Sequence, residues 1–373
     1  MAKSLPLFRH FRTLQDPRVA GRTTHSLEAI LVIAVCAVIA GASDFQEIAI
    51  FADKRRDWLA RFLDLSKGIP AHDTFERVFA RLDPVAFQGC FARWMNAWHA
   101  KLTGKHLALD GKAACGSARP SKNFRALHLV NVWATQANLC LGVVACDQNS
   151  NEITAIPRLL ELLDLEGALV SIDAIGCQKK IVEQIIDGGG DYLIIVKENQ
   201  ETLYQEIRAC FDRAQEKNFE GVKSSCYGKE ETGHGREEAR HYVVIEDPDG
   251  ISSKENWPEL NVIGMCYSER KDGDAERTFH TRYFIGSKRA KARYYGKAMR
   301  GHWRVENNLH WRLDVVFGED DGRTAQRNAA TNFATVRRLA LNLVKQEDSE
   351  MSVAKKRYAA SLDTDYLEEI INV

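Results

Sequence analysis

Three short apolar runs in the middle of the chain limit its fold more than any other feature. They are His106-Leu-Ala-Leu-Asp110, Ala168-Leu-Val-Ser-Ile-Asp173 and Asp191-Tyr-Leu-Ile-Ile-Val196. Each is strand-length, and the segments between the second and third carry helical spacing over 178–186. Before the second, Ile156, Leu159, Leu160 and Leu163 give a helix over 153–165. Two further apolar, partly alternating runs, 129–136 and 139–147, are split by Ala137-Asn138 and read as an antiparallel hairpin. The order is therefore three strands, helix, strand, helix, strand. Strands that alternate with helices pair in parallel through right-handed crossovers. The expected fold class is α/β, with a mixed five-stranded sheet whose first three strands are antiparallel.

The flanks differ. Residues 1–104 read as helical, with a helix over 27–42 and another through 58–65. Asp44 with Glu47, and Asp73 with Glu76, look like capping boxes, the second opening a helix over 74–82. Asp83-Pro84 opens one more, with proline at the tolerated first turn. Short helices and tight turns suit a small bundle, a DNA-binding or dimerising piece being its functional alternative. After Lys197 a helix over 201–214 is followed by strand-like segments at 236–246, 262–268 and 277–285. This is a β-rich insertion, about 198–286. Helical pattern resumes near Lys297 and runs past Leu343. The expected division is 1–104, 105–345 with its insertion, and a C-terminal tail 346–373.

Composition excludes several classes. With 373 residues, 45% hydrophobic and 27% charged, the chain is neither disordered nor fibrous. Lys+Arg and Asp+Glu are both 51, so a uniformly basic coat protein is excluded, whereas a basic groove balanced by acids elsewhere is not. Nine cysteines without a C-x-x-C read as free thiols of a reducing compartment. The longest uncharged apolar stretch, 29–42, is too short to span a bilayer. The expected location is the cytoplasm.

Asp110 and Asp173 stand at the carboxyl ends of separate strands, the edge where ligands bind in an open α/β sheet. Either alone is an ordinary turn residue. Together, 63 positions apart around a hairpin and one helix, they suit neighbouring strands. Glu306 is the third candidate. His302, Glu306, His310 and Asp314 follow at i+4 steps beside the apolar stripe of Val305, Leu309, Leu313 and Val316. A zinc site on His302 and His310 fits less well, since zinc pairs on helices stand four apart and these stand eight apart. Three carboxylates suit hard cations. Mg2+ takes one or two carboxylates plus phosphate oxygens, and two such ions about 4 Å apart serve an in-line phosphoryl displacement. No phosphate-binding G-x-x-x-x-G-K-[ST] is present, so nucleotide hydrolysis has no support.

Basic residues accompany these acids. Between 111 and 146 there is no acid, but Lys112, Arg119, Lys122 and Arg125 are present. Between 288 and 304 there is again none, with Lys291, Arg293, Lys297, Arg300 and Arg304 among the cations. Phosphate contacts of this kind release counterions and favour DNA. Arg236 and Arg240 share one face of a strand in the insertion, and Lys197 follows the third buried run.

These motifs make a recognisable set: Asp16-Pro-Arg18, Gly68-Ile-Pro-Ala-His-Asp-Thr74, Leu109-Asp-Gly-Lys112, Ile172-Asp173-Ala174, Lys197-Glu-Asn-Gln200, His234-Gly-Arg236, His302-Trp-Arg-Val-Glu-Asn307, Leu309-His-Trp-Arg-Leu-Asp-Val315 and Phe317-Gly-Glu-Asp320. The chain resembles the DDE transposases of insertion sequences, and within them the H-repeat-associated, Rhs-element-linked group. The resemblance runs nearly end to end. It implies an RNase H-like core with an inserted β-rich segment, and Asp110, Asp173 and Glu306 as a metal-binding triad. It also implies Mg2+ as the ion, with Mn2+ as the alternative. Terminal inverted repeats and target DNA would be the partners, bound by a homodimer, with hydrolysis freeing a 3′-OH that attacks the target. The other reading is a catalytically silent, domesticated relative that only binds DNA. The wider class carries Arg four residues before the Glu and Lys seven after it. Here His302 and Leu313 stand there; His302 is itself expected among the DNA contacts, with Arg300, Arg304 and Arg312 as candidates for the terminal phosphates.

Overall fold

The computed structural model describes residues 6–19, 21, 23–99, 105–118, 126–146, 151–233, 236–273, 275–322, 324 and 328–372. The N-terminal helices are α1 (Leu27–Ile39), α2 (Phe45–Lys54), α3 (Arg56–Leu59), α4 (His72–Arg81) and α5 (Pro84–His99). Then come β1 (His106–Ala114), β2 (Leu127–Ala134), β3 (Leu139–Ala145), α6 (Glu152–Leu160), β4 (Leu169–Ile172), α7 (Lys179–Asp187) and β5 (Asp191–Val196). The insertion supplies α8 (Glu201–Glu216), β6 (Ser224–Gly233), β7 (Arg236–Glu246), β8 (Val262–Asp272) and β9 (Thr278–Gly286). The chain closes with α9 (Ala292–Val305), α10 (Ala329–Gln346), α11 (Val353–Leu362) and α12 (Thr364–Ile371).

The five expected strands are present in the order β3-β2-β1-β4-β5, antiparallel among the first three and parallel thereafter. This is the RNase H-like core. The insertion does not form a layer of its own. Strand β9 pairs antiparallel with β5, and the sheet continues through β8, β7 and β6 to nine strands. The hairpin joint behaves as expected, with Asn138 at φ 59°. Strand β6 is absent from the sequence expectation because Lys229, Glu230 and Glu231 interrupt any apolar alternation. It is the outer edge, and charges there discourage pairing with another chain.

Every residue of α1 except Glu28 is buried, as a helix apolar on all sides requires. It is capped by Ser26, whose Oγ accepts from Ala29 N, and lies against α10. Asp44 accepts from Glu47 N at 2.8 Å, but Glu47 reaches back to Ser43 rather than to Asp44. Asp73 does not cap. The helix starts one residue before it, at His72, and Asp73 lies in the first turn, where the helix dipole favours an acid. The expected helix through 58–65 is only α3, separated from α2 by the non-helical Arg55.

Helix α10 ties the N-terminal helices to the sheet. It packs on α1, α4 and α5 and on β3, and Asn332 Nδ2 donates to Phe79 O at 2.8 Å and Leu82 O at 3.0 Å, closing the end of α4. The segment expected as a tail carries α11 and α12. Arg357 in α11 donates to Val38 O at 2.8 Å at the end of α1, and Leu367, Ile370 and Ile371 of α12 are buried. Helix α9 crosses the sheet from β6 and β7 to β4 and β1. Gly296 permits the crossing: a Cβ there would stand 2.9 Å from the Tyr242 ring. Among the described residues, no helix is long and apolar enough to cross a membrane.

Candidate active site

The site is built where β1 and β4 stop pairing. They run in parallel register with Leu109 opposite Ile172, so the next residues, Asp110 and Asp173, leave the pairing side by side. Asp173 follows the last residue of β4, as expected, and its Oδ1 accepts from Ile175 N at 3.0 Å, capping the next turn. Asp110 departs from expectation: it is mid-strand. β1 continues to Ala114, held by β2 alone, with Asp110 opposite Asn131.

Past Val305 the helix from α9 widens. Glu306–His310 and Arg312–Val316 form π-helical turns, with Trp311 N donating to Glu306 O. A wide turn takes more than four residues, so an i+4 neighbour falls slightly behind its predecessor instead of ahead of it. The drift of an ordinary helix is undone, and the row of four polar residues stays over the sheet. His302 reaches β4, where Ser171 Oγ lies 2.9 Å from its Nδ1. His310 Nδ1 stands 3.6 Å from Asp110 Oδ2 and 3.4 Å from Glu306 Oε2. Asp314 Oδ1 lies 2.5 Å from Lys112 Nζ.

Asp110, Glu306 and His310 thus offer donor atoms within 4.8 Å of one another. Asp173 is outside that group but near enough to act on Asp110 electrostatically. Burial, opposed by His310 and reinforced by Glu306, Asp173 and Glu152, pushes the Asp110 carboxyl up to about 7. Burial likewise raises Asp173. Glu306, 69% exposed, is held below its ordinary range by the His310 imidazole. Crowded, partly desolvated carboxylates with an imidazole beside them are a donor set that a divalent cation would relieve, so the residues fit the metal role.

Sequence reasoning missed Glu152, which joins this field from the first residue of α6 and is 2.7 Å from His128 Nε2. Gly111 makes the approach possible, because a Cβ on it would collide with the Glu152 carboxyl. No spacing in the sequence links Glu152 to Asp110. His310 was legible as Glu306's i+4 neighbour but was weighed only as half of a histidine pair; His302 faces Ser171 instead.

A family model described as the transposase DDE domain matches residues 97–343, and one for the segment associated with that domain matches residues 8–95. The chain belongs to the DDE transposase family. Among its relatives is "Putative transposase YncI" of Escherichia coli O157:H7, 37% identical over 98% of this chain and 94% of that protein. Another is "H repeat-associated putative transposase YhhI" of Escherichia coli K12, 36% identical over 98% and 97%. A solved synaptic complex of piggyBac transposase with hairpin DNA aligns at TM-score 0.39 and 9% identity, over 98% of this chain and 77% of that one.

For this DDE transposase family member the structure revises the list of DNA-facing cations. Lys112 is not a surface residue. Its side chain is 5% exposed and lies among Asp314, Asp320 at 3.4 Å and Glu319 at 3.6 Å. Arg240 is buried and paired with Glu231 and Glu238, and His302 is buried against Ser171. These three are corrections: distant acids neutralise Lys112, acids of the same hairpin neutralise Arg240, and Ser171 encloses the His302 ring. Arg300 is half-buried and 3.1 Å from Glu231, and exposed Lys291 is 2.9 Å from Glu246. Lys197, Arg293 and Arg304 are exposed. Arg119, Lys122 and Arg125 lie outside the described residues, and Arg236 is described only as the start of β7.

Proposed function

We propose that this chain is a DNA transposase that binds the terminal inverted repeats of its element as a homodimer. It hydrolyses a phosphodiester there and joins the freed 3′-OH to target DNA. The observation that carries the reading is the register of β1 on β4: with Leu109 opposite Ile172, Asp110 and Asp173 leave the pairing side by side, and Asp110 gathers with Glu306 and His310. Asp110, Asp173 and Glu306 are the residues that hold the cations, Mg2+ with Mn2+ as substitute. Bound there, such ions stabilise the attacking and leaving oxygens of an in-line displacement. Asp110 supplies its ligand from within β1 and Asp173 from just past the end of β4, and Glu306 supplies its own from an exposed position on the helix above. Exposed Lys197, Arg293 and Arg304 draw the phosphate backbone to this edge.

The test is purified protein with Mg2+ and labelled terminal-repeat DNA, found in the sequence flanking the gene. Nicked and then joined products are expected. Binding without nicking supports the silent relative, and nicking without joining reduces the activity to that of a nuclease.

A further inference from the structure

We propose that His310 is itself a metal ligand, so that the cation bound by Asp110 and Glu306 sits in a mixed nitrogen–oxygen site that favours Mn2+ over Mg2+. This deepens the function proposed above and rests on its assignment of these two acids. The imidazole is 6% exposed and is held at the π-helical turn, with Nδ1 turned to the carboxylates. Its distances, 3.6 Å to Asp110 Oδ2 and 3.4 Å to Glu306 Oε2, exceed the 2.7–3.2 Å typical of N–H···O hydrogen bonds. They match instead the spacing of neighbouring donors around one ion. Bonds of about 2.1 Å place adjacent ligand atoms roughly 3 to 3.5 Å apart.

The other ring nitrogen makes no competing contact. Nε2 is buried without a hydrogen-bond partner among the described residues. Among the described residues no carboxylate or carbonyl accepts from that side, so packing sets the direction of the ring. Ligation through Nδ1 places the proton on Nε2 and leaves the lone pair facing the acids. The ion class follows from the donors. Carboxylate and water oxygens suit Mg2+, whereas one imidazole shifts preference toward transition ions. Asp173, outside this group, is left to share a second, all-oxygen position with Asp110.

The deciding experiment loads the full chain with Mn2+ and records pulsed electron paramagnetic resonance. Nitrogen modulation of directly bound imidazole is expected, and it should shift in protein labelled with 15N-histidine, a readout that needs no substitution. His310→Gln should remove the modulation and lower Mn2+ affinity by roughly tenfold or more, with a smaller change for Mg2+. Mn2+ bound without nitrogen coupling, yet lost in Asp110→Asn, overturns the proposal and leaves the acids as ligands. Mn2+ binding that Asp110→Asn does not affect, or no binding at all, overturns the metal site and the proposed function with it.

Discussion

Two carboxylate clusters lie two residues apart along β1, under the same helix, and they are solved in opposite ways. Asp110, Glu306 and His310 gather with no lysine or arginine among them. Asp314, Glu319 and Asp320 gather around the buried Lys112, and Glu319 is also paired with fully buried Arg338 at 2.6 Å. Arg338 is fixed in turn by Asn131, the residue opposite Asp110, at 2.6 Å. The electrostatics follow. Burial pushes Glu319 up, but Arg338 and Lys112 outweigh it and hold the carboxyl below its ordinary range. Asp110, with a partner that is only an imidazole, is pushed up to about 7. One cluster has its cations built in; the other has no lysine or arginine among its three residues. Internal neutralisation keeps Glu319 low, and its absence two residues away leaves Asp110 raised.

The largest effect that separates the clusters is on catalysis. Asp110→Asn, Asp173→Asn and Glu306→Gln should each reduce cleavage of terminal-repeat DNA by about 10³-fold or more, since metal-centred charge stabilisation is worth several kcal/mol. DNA binding, followed by mobility shift, should stay nearly unchanged. A variant that still cleaves is not one of the three.

Stability should respond the other way. Glu319→Gln leaves fully buried Arg338 without its carboxylate partner, and breaking one side of a buried pair costs about 3–5 kcal/mol. Glu306→Gln removes an exposed carboxylate favoured in the fold chiefly by the His310 imidazole, and should lower the metal-free thermal midpoint only slightly. Parallel denaturant titrations of the two variants check this. Equal losses would mean that the clusters are not different in kind.

A smaller, pH-dependent effect comes from the anchor of the same row. Ser171 Oγ sits between His106 Nε2 at 2.8 Å and His302 Nδ1 at 2.9 Å. Burial holds His106 down to about 3 and His302 down to about 4. The unfolded chain therefore takes up protons below about pH 6.5 that the folded chain refuses. Stability from these rings is full above that pH and declines as pH falls toward 4, by up to about 1.4 kcal/mol per unit for each ring. Thermal midpoints across pH 4–7 should fall less steeply in His302→Gln than in the parent. Parallel curves would show that His302 is charged in the fold.

How much of this was legible follows from what each feature depends on. The core strands and both aspartates were readable because burial leaves apolar runs and the crossovers fix their neighbours. Glu306 was readable from its helix face. The nine-strand sheet was not, because it depends on Ile194 facing Ile285 across the whole insertion, and pairing at that separation leaves no local trace. The role of Lys112 was misread for a related reason. An acid-free stretch looks like a phosphate contact until residues 314, 319 and 320 fold onto it. The widening after Val305 had no signal either, since an ordinary helical stripe describes those residues equally well.

The subtlest difference expected lies outside both clusters, between two cations at the start of α9. Lys291 is held by Glu246, which Lys223 also engages at 2.7 Å. Arg293 is exposed, with no ion-pair partner among the described residues. If this end of the helix meets DNA, Arg293 engages a phosphate without giving anything up, whereas Lys291 must first leave a carboxylate. Arg293→Ala should therefore flatten the slope of log affinity against log salt by about 0.9, one phosphate's worth of released counterions. Lys291→Ala should change it by less. Equal slopes in both variants and the parent would place this helix start away from the nucleic acid and leave Lys197 and Arg304 as the contacts to test.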